Sequence, residues 1–328
     1  MEITQGNINS LFISFDTRFK DGFEKPPSYY EKLATITRSS STQTVYPFLG
    51  RTGGFKKWVG ERTLQNLEAH SYTLTNEHWE DSVAIDLDTI SDDQYGIYGS
   101  QVEYLGWQTK MHPDVLLFSM LKAATTGSAV TLPGSGDTMM PVPICYDGLN
   151  FFNASHPAGP QNVAAADTTF SNITSSGGGA YWYIIDAARP IKPFIFQLRE
   201  EYKVTHMNAL TDEAMFMRKK LRYGVDGRSN VGVAFWQLAY ASNMDLSNPA
   251  NYGAARAAMR SIKGDDGLPF GALSTGKDIF LLVPPSLEEV GRQLLNSEFM
   301  AGVGSSASVP TTNIWRNSAD LIVSEYLA

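Results

Sequence analysis

Cysteine is nearly missing from this chain. Cys145 stands alone among 328 residues, so no disulfide can form within the chain and no thiolate zinc site can be built. That usage fits a reducing cytoplasm. Long apolar runs are missing too: none approaches the ~20 residues needed to span a bilayer. The opening MEITQGNINSLF has no basic region followed by an apolar stretch. We therefore expect a soluble protein without a cleaved leader or membrane partner. Positive charge is in deficit, with 26 basic residues against 34 acidic ones for a net charge of −8. This argues against a protein that coats nucleic acid, because phosphate neutralisation needs clustered Lys and Arg.

Catalytic constellations are equally sparse. Gly271 to Lys277 has the spacing of a phosphate-binding loop, but Asp278 stands where a hydroxyl would reach magnesium. The segment also precedes an apolar strand, whereas phosphate binding needs a strand before the loop and a helix after it. The histidines His70, His78, His112, His156 and His206 never occur at the spacing of a metal-binding helix. Asp86, Asp88, Asp92 and Asp93 straddle a strand end and a helix start, where the helix dipole favours negative charge. Cys145 has His156 eleven residues on, but no evident third partner. Neither a G-x-S-x-G elbow nor a GxGxxG turn occurs. No catalytic residue, cofactor or metal is expected.

What is present is a 43% hydrophobic chain, enough for a substantial core. The longest helical period runs from Asp92 to Ala124. Tyr98, Val102 and Leu105, then Leu116, Leu117, Met120 and Leu121, form one stripe. Gly96 and Gly99 weaken its start, and Pro113 predicts a kink or restart. Before it, residues 1–27 carry Phe12, Phe15, Phe19 and Phe23 ahead of Pro26-Pro27, a short helix or an extended arm that docks onto something. Tyr29 to Ile36 reads as a short amphipathic helix. Ser71 to Leu87 alternates with period two around a polar break and reads as a β-hairpin.

Between these lies VYPFLGRTGGFKKWVGERTLQNLEAH, where Tyr46, Phe48, Phe55 and Trp58 interleave with Arg51, Lys56, Lys57 and Arg62. Trp and Arg together are what binding surfaces enrich, so this stretch is a candidate contact loop. Residues 125–180 are turn-rich. Short strands are expected at Tyr181–Ile185, Phe194–Leu198, Met215–Tyr223 and Val231–Tyr240, with Asp226-Gly227 as a turn between two of them. Asn251–Ile262 reads as a helix capped by Ser247 or Asn248, and Asp278–Val283 as a buried strand. Pro285–Asn296 is a helix with proline in its first turn, and Leu321–Val323 a closing strand. Helices and strands mix without a βαβ rhythm, so the class is α+β.

Several blocks, in order, resemble one family: YPFLGRTGGFKKWVGERTLQNLEAHSYTLTN, DDQYGIYG, MHPDVLLFSMLKA, CYDGLNFFNASHP, RPIKPFIFQLRE, MRKKLRYGVDGRSNVGVAFWQLAY, AARAAMRSIKGDDGLPFG, IFLLVPPSLEEVGRQLLNSE and NIWRNSADLIVSEYLA. They are similar to the Mu-like phage major head subunits, of the Hong Kong 97-like capsid fold. The resemblance implies an N-terminal arm (1–39), an extended loop (40–90), a peripheral domain with a spine helix (91–130 and 197–242) and an axial domain with connections (131–196 and 243–328). It implies a non-enzymatic subunit that forms hexamers and pentamers of an icosahedral shell around double-stranded DNA. Scaffold, prohead protease, portal and a decoration protein are the implied partners. Contact candidates between subunits are Arg51, Phe55, Lys56, Lys57, Trp58 and Arg62, with Asp92, Asp93 and Glu200 as acidic counterparts. A nanocompartment shell of the same fold, and a metal- or nucleotide-dependent hydrolase, are the alternatives.

Overall fold

The computed structural model describes residues 4–49, 69–92, 96–136, 138–157, 169–263, 270, 278–301 and 310–328. In chain order these form α1 (Gln5–Glu24), α2 (Tyr30–Leu33), β1 (Ala34–Arg38), β2 (Gln43–Leu49), β3 (Ala69–Thr75), β4 (Glu77–Asp86), α3 (Leu87–Asp92) and α4 (Ile97–Thr126). Five two-residue strands follow: β5 (Val130–Thr131), β6 (Met139–Met140), β7 (His156–Pro157), β8 (Thr169–Phe170) and β9 (Ile173–Thr174). Next come β10 (Trp182–Asp186), β11 (Phe194–Met207), α5 (Glu213–Arg218), β12 (Lys220–Val233) and β13 (Ala239–Ser242). The chain then runs through α6 (Pro249–Ser261), β14 (Ile279–Val283), α7 (Glu288–Asn296), β15 (Phe299–Ala301), β16 (Pro310–Thr312) and β17 (Asp320–Val323).

Two sheets organise the molecule. The first, in the order β1-β11-β12-β4, is built on two 14-residue strands and has α1 on one face. The second, β17-β14-β10-β13-β9, is sandwiched. Every residue of β10 and β14 is buried, as a strand covered on both faces requires. Trp182, Ile184 and Leu281 point into one cluster with Tyr252 of α6 and Leu294 of α7. Tyr183, Ile185 and Leu282 point the other way, onto Leu117, Met120 and Leu121 of α4.

Helix α4 joins the two halves. Its C-terminal half is buried nearly all round, and it stops at Gly127 (φ 65°), whose amide donates to the Ala123 carbonyl. The helix is continuous through Pro113, so it does not restart there. Burial on both sides outweighs the ~3 kcal/mol that an interior proline costs. Its N-terminal half carries α1, whose Ile8, Phe12, Phe15 and Phe19 are buried with Val102, Leu105, Leu221 and Tyr223. Full burial of such side chains contributes roughly 1.5–3 kcal/mol each. The N-terminal phenylalanines therefore dock onto their own subunit.

Other local expectations change. Tyr29–Ile36 is helical only through Leu33; Ala34–Arg38 pairs in parallel with Phe194–Leu198. The hairpin expected over Ser71–Leu87 does not form: β3 pairs with β2, and β4 pairs along its whole length with β12. Met215–Tyr223 is a helical turn before a strand, and Val231–Tyr240 is broken by a 3-10 turn at Trp236–Leu238. Asp226-Gly227 lies inside β12, paired with Glu80 and Trp79 of β4, and makes no turn; the glycine instead leaves room for the Tyr202 ring, since a Cβ would come 2.7 Å from Tyr202 Cδ1. By contrast Asn248 caps α6 as expected, accepting from the Ala250 amide at 3.1 Å.

Candidate assembly surfaces

The β2-β3 ribbon stands apart as its own two-stranded sheet, and its base is fixed by a buried polar network. Tyr46 Oη donates to Gln197 Oε1 at 2.7 Å and accepts from Thr37 Oγ1 at 2.6 Å. Gln197, fully buried, donates in turn to Asn76 Oδ1 at 2.8 Å and the Leu74 carbonyl at 3.2 Å. Asn76 Nδ2 donates to the Ser41 carbonyl at 2.8 Å. Buried amides this fully partnered hold a unique geometry, so the ribbon leaves the first sheet at a fixed angle. Arg51, Phe55, Lys56, Lys57, Trp58 and Arg62 lie beyond its end, outside the described residues.

Asp93 also lies outside the described residues, and Asp92 is the last residue of α3. Glu200 sits on β11 beside a register shift, with Arg228 at 3.5 Å and Lys203 at 3.7 Å in its own subunit. Asp86 and Asp88 occupy a strand end and a helix start, where the Asp88 amide donates to Asp86 Oδ1 and Lys219 pairs with Asp88. The phosphate-loop-like segment before Asp278 is outside the described residues. Asp278 itself, with φ 61°, leads into β14.

Along α4 a carboxylate tethers the chain entering the first sheet. Asp114, fully buried, accepts from the Tyr29 amide at 2.9 Å and the Tyr30 amide at 2.6 Å. Burial pushes its pKa up, against the pull of those amides. Near the other end, Lys25, just past the end of α1, and Arg18 of α1 flank Glu103 and hold its carboxyl below the usual range.

A cleft of about 420 Å³ opens between α4 and β4. Tyr104 and Trp107 form a parallel ring pair on one wall, 5.9 Å apart, and Tyr104 is 59% exposed. On the other, Trp79 meets His112 edge-on at 4.7 Å, and His112 Nδ1 lies 2.6 Å from Tyr202 Oη. Burial lowers the His112 pKa to about 4 and raises that of Tyr202 to about 12, so both are neutral near pH 7. Tyr104, Trp107 and Met111 at spacings of three and four form a second stripe on α4. The sequence carries that period plainly, beside the core stripe.

Cys145 is buried, which pushes its thiol pKa well up, and His156 makes its bonds elsewhere. The imidazole stacks on Trp236 at 4.0 Å, with Asp147 at 2.6 Å and the Phe151 carbonyl at 3.3 Å. Both side chains are packed in the interior. Among the described residues no group of three or more His, Cys, Asp or Glu is placed to hold a metal ion. Nor is any helix among them long and apolar enough to cross a membrane.

A family model described as the Mu-like prophage major head subunit gpT matches residues 8–327. The chain belongs to this family. Among relatives of this major head subunit, the Mu-like prophage FluMu major head subunit of Haemophilus influenzae is 33% identical over 99% of both chains. The major capsid protein of Escherichia phage Mu is 33% identical over the full length of both. The subunit of the bacteriophage JBD30 procapsid superposes with a TM-score of 0.75 at 31% identity, covering 99% of this chain and all of that one. The JBD30 capsid gives 0.73 at 21% identity over the whole of both, a likeness of fold. The protein is thus a major capsid protein of the Mu-like phages, a virion component with the Hong Kong 97-like α+β fold. These relatives are phage head proteins, which leaves the nanocompartment reading without support.

Proposed function

We propose that this head subunit assembles into hexamers and pentamers that close an icosahedral shell around double-stranded DNA, and that it does so without catalysing any reaction. Family membership over nearly the whole chain is the observation that carries this reading. In it, the first sheet with α1 and the N-terminal half of α4 is the peripheral domain, the second sheet with α6 and α7 the axial domain, and the β2-β3 ribbon the extended loop; this moves α1 and β1 out of the arm (1–39), β4 out of the loop (40–90) and β13 out of the peripheral segment 197–242, because those elements pack with the other sheet partners. The ribbon's far segment, with Arg51, Phe55, Lys56, Lys57, Trp58 and Arg62, reaches a neighbouring subunit at acids such as Asp92, Asp93 and Glu200. Apolar burial of Phe55 and Trp58 supplies the contact, and charge pairing sets its register. Scaffold, prohead protease, portal and a decoration protein act on the assembled head. A JBD30 capsid carries minor capsid protein trimers, which supports the last of these.

Negative-stain imaging and light scattering of the full chain, with and without co-expressed scaffold, test this. Closed shells or capsomers are expected, and a monodisperse 36 kDa species under every salt and concentration would overturn the reading. Trypsin should cut residues 51–62 rapidly in unassembled subunits and slowly in shells. Trp58→Ala should weaken assembly more than it lowers the subunit's melting temperature.

A further inference from the structure

The cleft between α4 and β4 is walled by rings and carries one acid at its lip. Trp79, Tyr104, Trp107 and Tyr326 line it together with Met111. Asp81, exposed, stands on the same side of β4 as Val83 and Ile85 and so turns toward α4. A half-open pocket of Trp, Tyr and Met is what an aromatic anchor fills at a protein interface.

One run of the sequence has the complementary chemistry. Phe55, Lys56, Lys57 and Trp58 set two lysines between two aromatic rings, so a ring can enter the cleft while a lysine meets Asp81 or lies over the Tyr104 face. The run cannot come from the same subunit. Asn230 donates to the Thr75 carbonyl and the Val233 amide to Tyr72 Oη, whereas Asp81 pairs with Val225, so the β2-β3 ribbon leads away from the cleft along β12. From Val225 to Val233 is roughly 26 Å of strand, and the ribbon's end, where Leu49 pairs with Ala69, lies ~10 Å beyond Tyr72. Counted from Leu49, Phe55 can reach at most ~22 Å and Trp58 at most ~32 Å. Both fall short of their own cleft.

We propose that the cleft is the receptor for the 55–58 run of a second copy, with its aromatic rings seated among Trp79, Tyr104 and Trp107 and a lysine at Asp81. This rests on the shell-forming reading of the subunit, and it adds to that reading the pocket and one acid that the ribbon's far segment meets.

The test is photo-cross-linking in assembled shells. Full-length subunit carrying Gln108→benzoylphenylalanine, an exposed position at the edge of the cleft, is co-assembled with an excess of unmodified, heavy-isotope-labelled subunit and irradiated. Mass spectrometry then identifies the linked peptides. A covalent dimer joining the probe to residues 50–62 of the labelled subunit is expected. A probe linked only to another segment, linked to 50–62 of its own chain, or left unlinked in intact shells would overturn the docking alone. If the unmodified subunit forms no shells, the shell-forming reading falls and the docking falls with it. Independently, Asp81→Lys should lower shell yield fivefold or more with the subunit's melting temperature unchanged, and Lys56→Glu with Lys57→Glu in the same chain should restore at least half of it. Trp107→Leu should lower the yield by a similar factor. Unchanged yield in both variants, or no recovery in the charge-swapped chain, would also overturn the docking.

Discussion

Gly22 and Gly106 hold α1 and α4 in backbone contact from the two sides of one crossing. A Cβ on Gly22 would stand 1.9 Å from the Glu103 carbonyl oxygen, and one on Gly106 2.2 Å from that of Phe19. Neither obstacle is a side chain that can swing away. The helices would have to separate, pulling Phe15 and Phe19 off Tyr223.

Gly106→Ala should therefore destabilise the subunit by about 1–3 kcal/mol, despite alanine's better helix propensity. Gly99→Ala, in the same helix, is the internal control. The nearest atom to its Cβ is Arg18 Nε at 3.9 Å, so it should gain about 0.5–1 kcal/mol. Thermal melts of the two variants should move in opposite directions.

Asp114 and His112 are two residues apart in α4 and should give opposite pH dependences. The folded pKa of Asp114 is raised by burial, so the folded state binds more protons than the unfolded state between the ordinary carboxylate value and the raised one. Its titration should erode stability as pH rises through that window. Asp114→Asn should flatten this slope, keeping one acceptor for the Tyr29 and Tyr30 amides. Asp114→Ala should cost about 1–3 kcal/mol at every pH, because those amides lose their partner. Urea midpoints measured every half unit from pH 3.5 to 7 would check both.

For His112 the sign reverses. Its folded pKa of about 4 lies below the ordinary 6.5, so the unfolded state takes up the proton first. Stability is complete above pH 6.5 and is lost as pH falls toward 4, by an amount on the order of 3 kcal/mol. His112→Phe removes this loss while keeping the ring against Trp79. Imidazole chemical shifts followed by NMR during acidification should show no protonation of His112 at pH 5.5.

Replacing Gln197 by Leu should take the amide donor from Asn76 Oδ1 and the Leu74 carbonyl and leave the Tyr46 hydroxyl with Thr37 alone; a buried polar group without a partner costs about 1–3 kcal/mol. The damage should be local. Hydrogen exchange is expected to speed up at Leu74 to Asn76 and across β2, while β10 and β14 keep their protection.

How far the sequence could be read follows from where each element finds its partner. The stripe of α4, the Asn248 cap of α6 and the apolar run of β14 were legible because their signals are local: a 3.6-residue period, a side chain reaching its own helix, a strand buried on both faces. Ala34–Ile36 reads as helix, and the strand at Ser71–Thr75, which does form, reads as pairing with the segment after it, because the true partners lie elsewhere in the chain, at Phe194–Phe196 and Gln43–Pro47. Gly227 looked like a turn residue because local composition cannot distinguish a glycine that bends the chain from one that clears space for a ring. The cleft was hidden for the same reason. Trp79, His112 and Tyr202 come from β4, α4 and β11, and only the Tyr104, Trp107 and Met111 spacing was there to be noticed.

The packing of α1 also sets an order in time. Phe12 rests against Tyr223, and Ala34 pairs with Phe194, so the N-terminal segment meets α4 first and lacks the rest of its binding surface until the chain beyond them has been made. At ~5–20 residues per second, the ~200 residues that intervene take roughly 10–40 s to synthesise. Throughout that interval Phe12, Phe15 and Phe19 have at most α4 to cover them, and the face that will meet Tyr223 stays open. The same delay keeps an unfinished chain from joining a growing shell, because the first sheet closes only once β12 exists to receive α1 and β4.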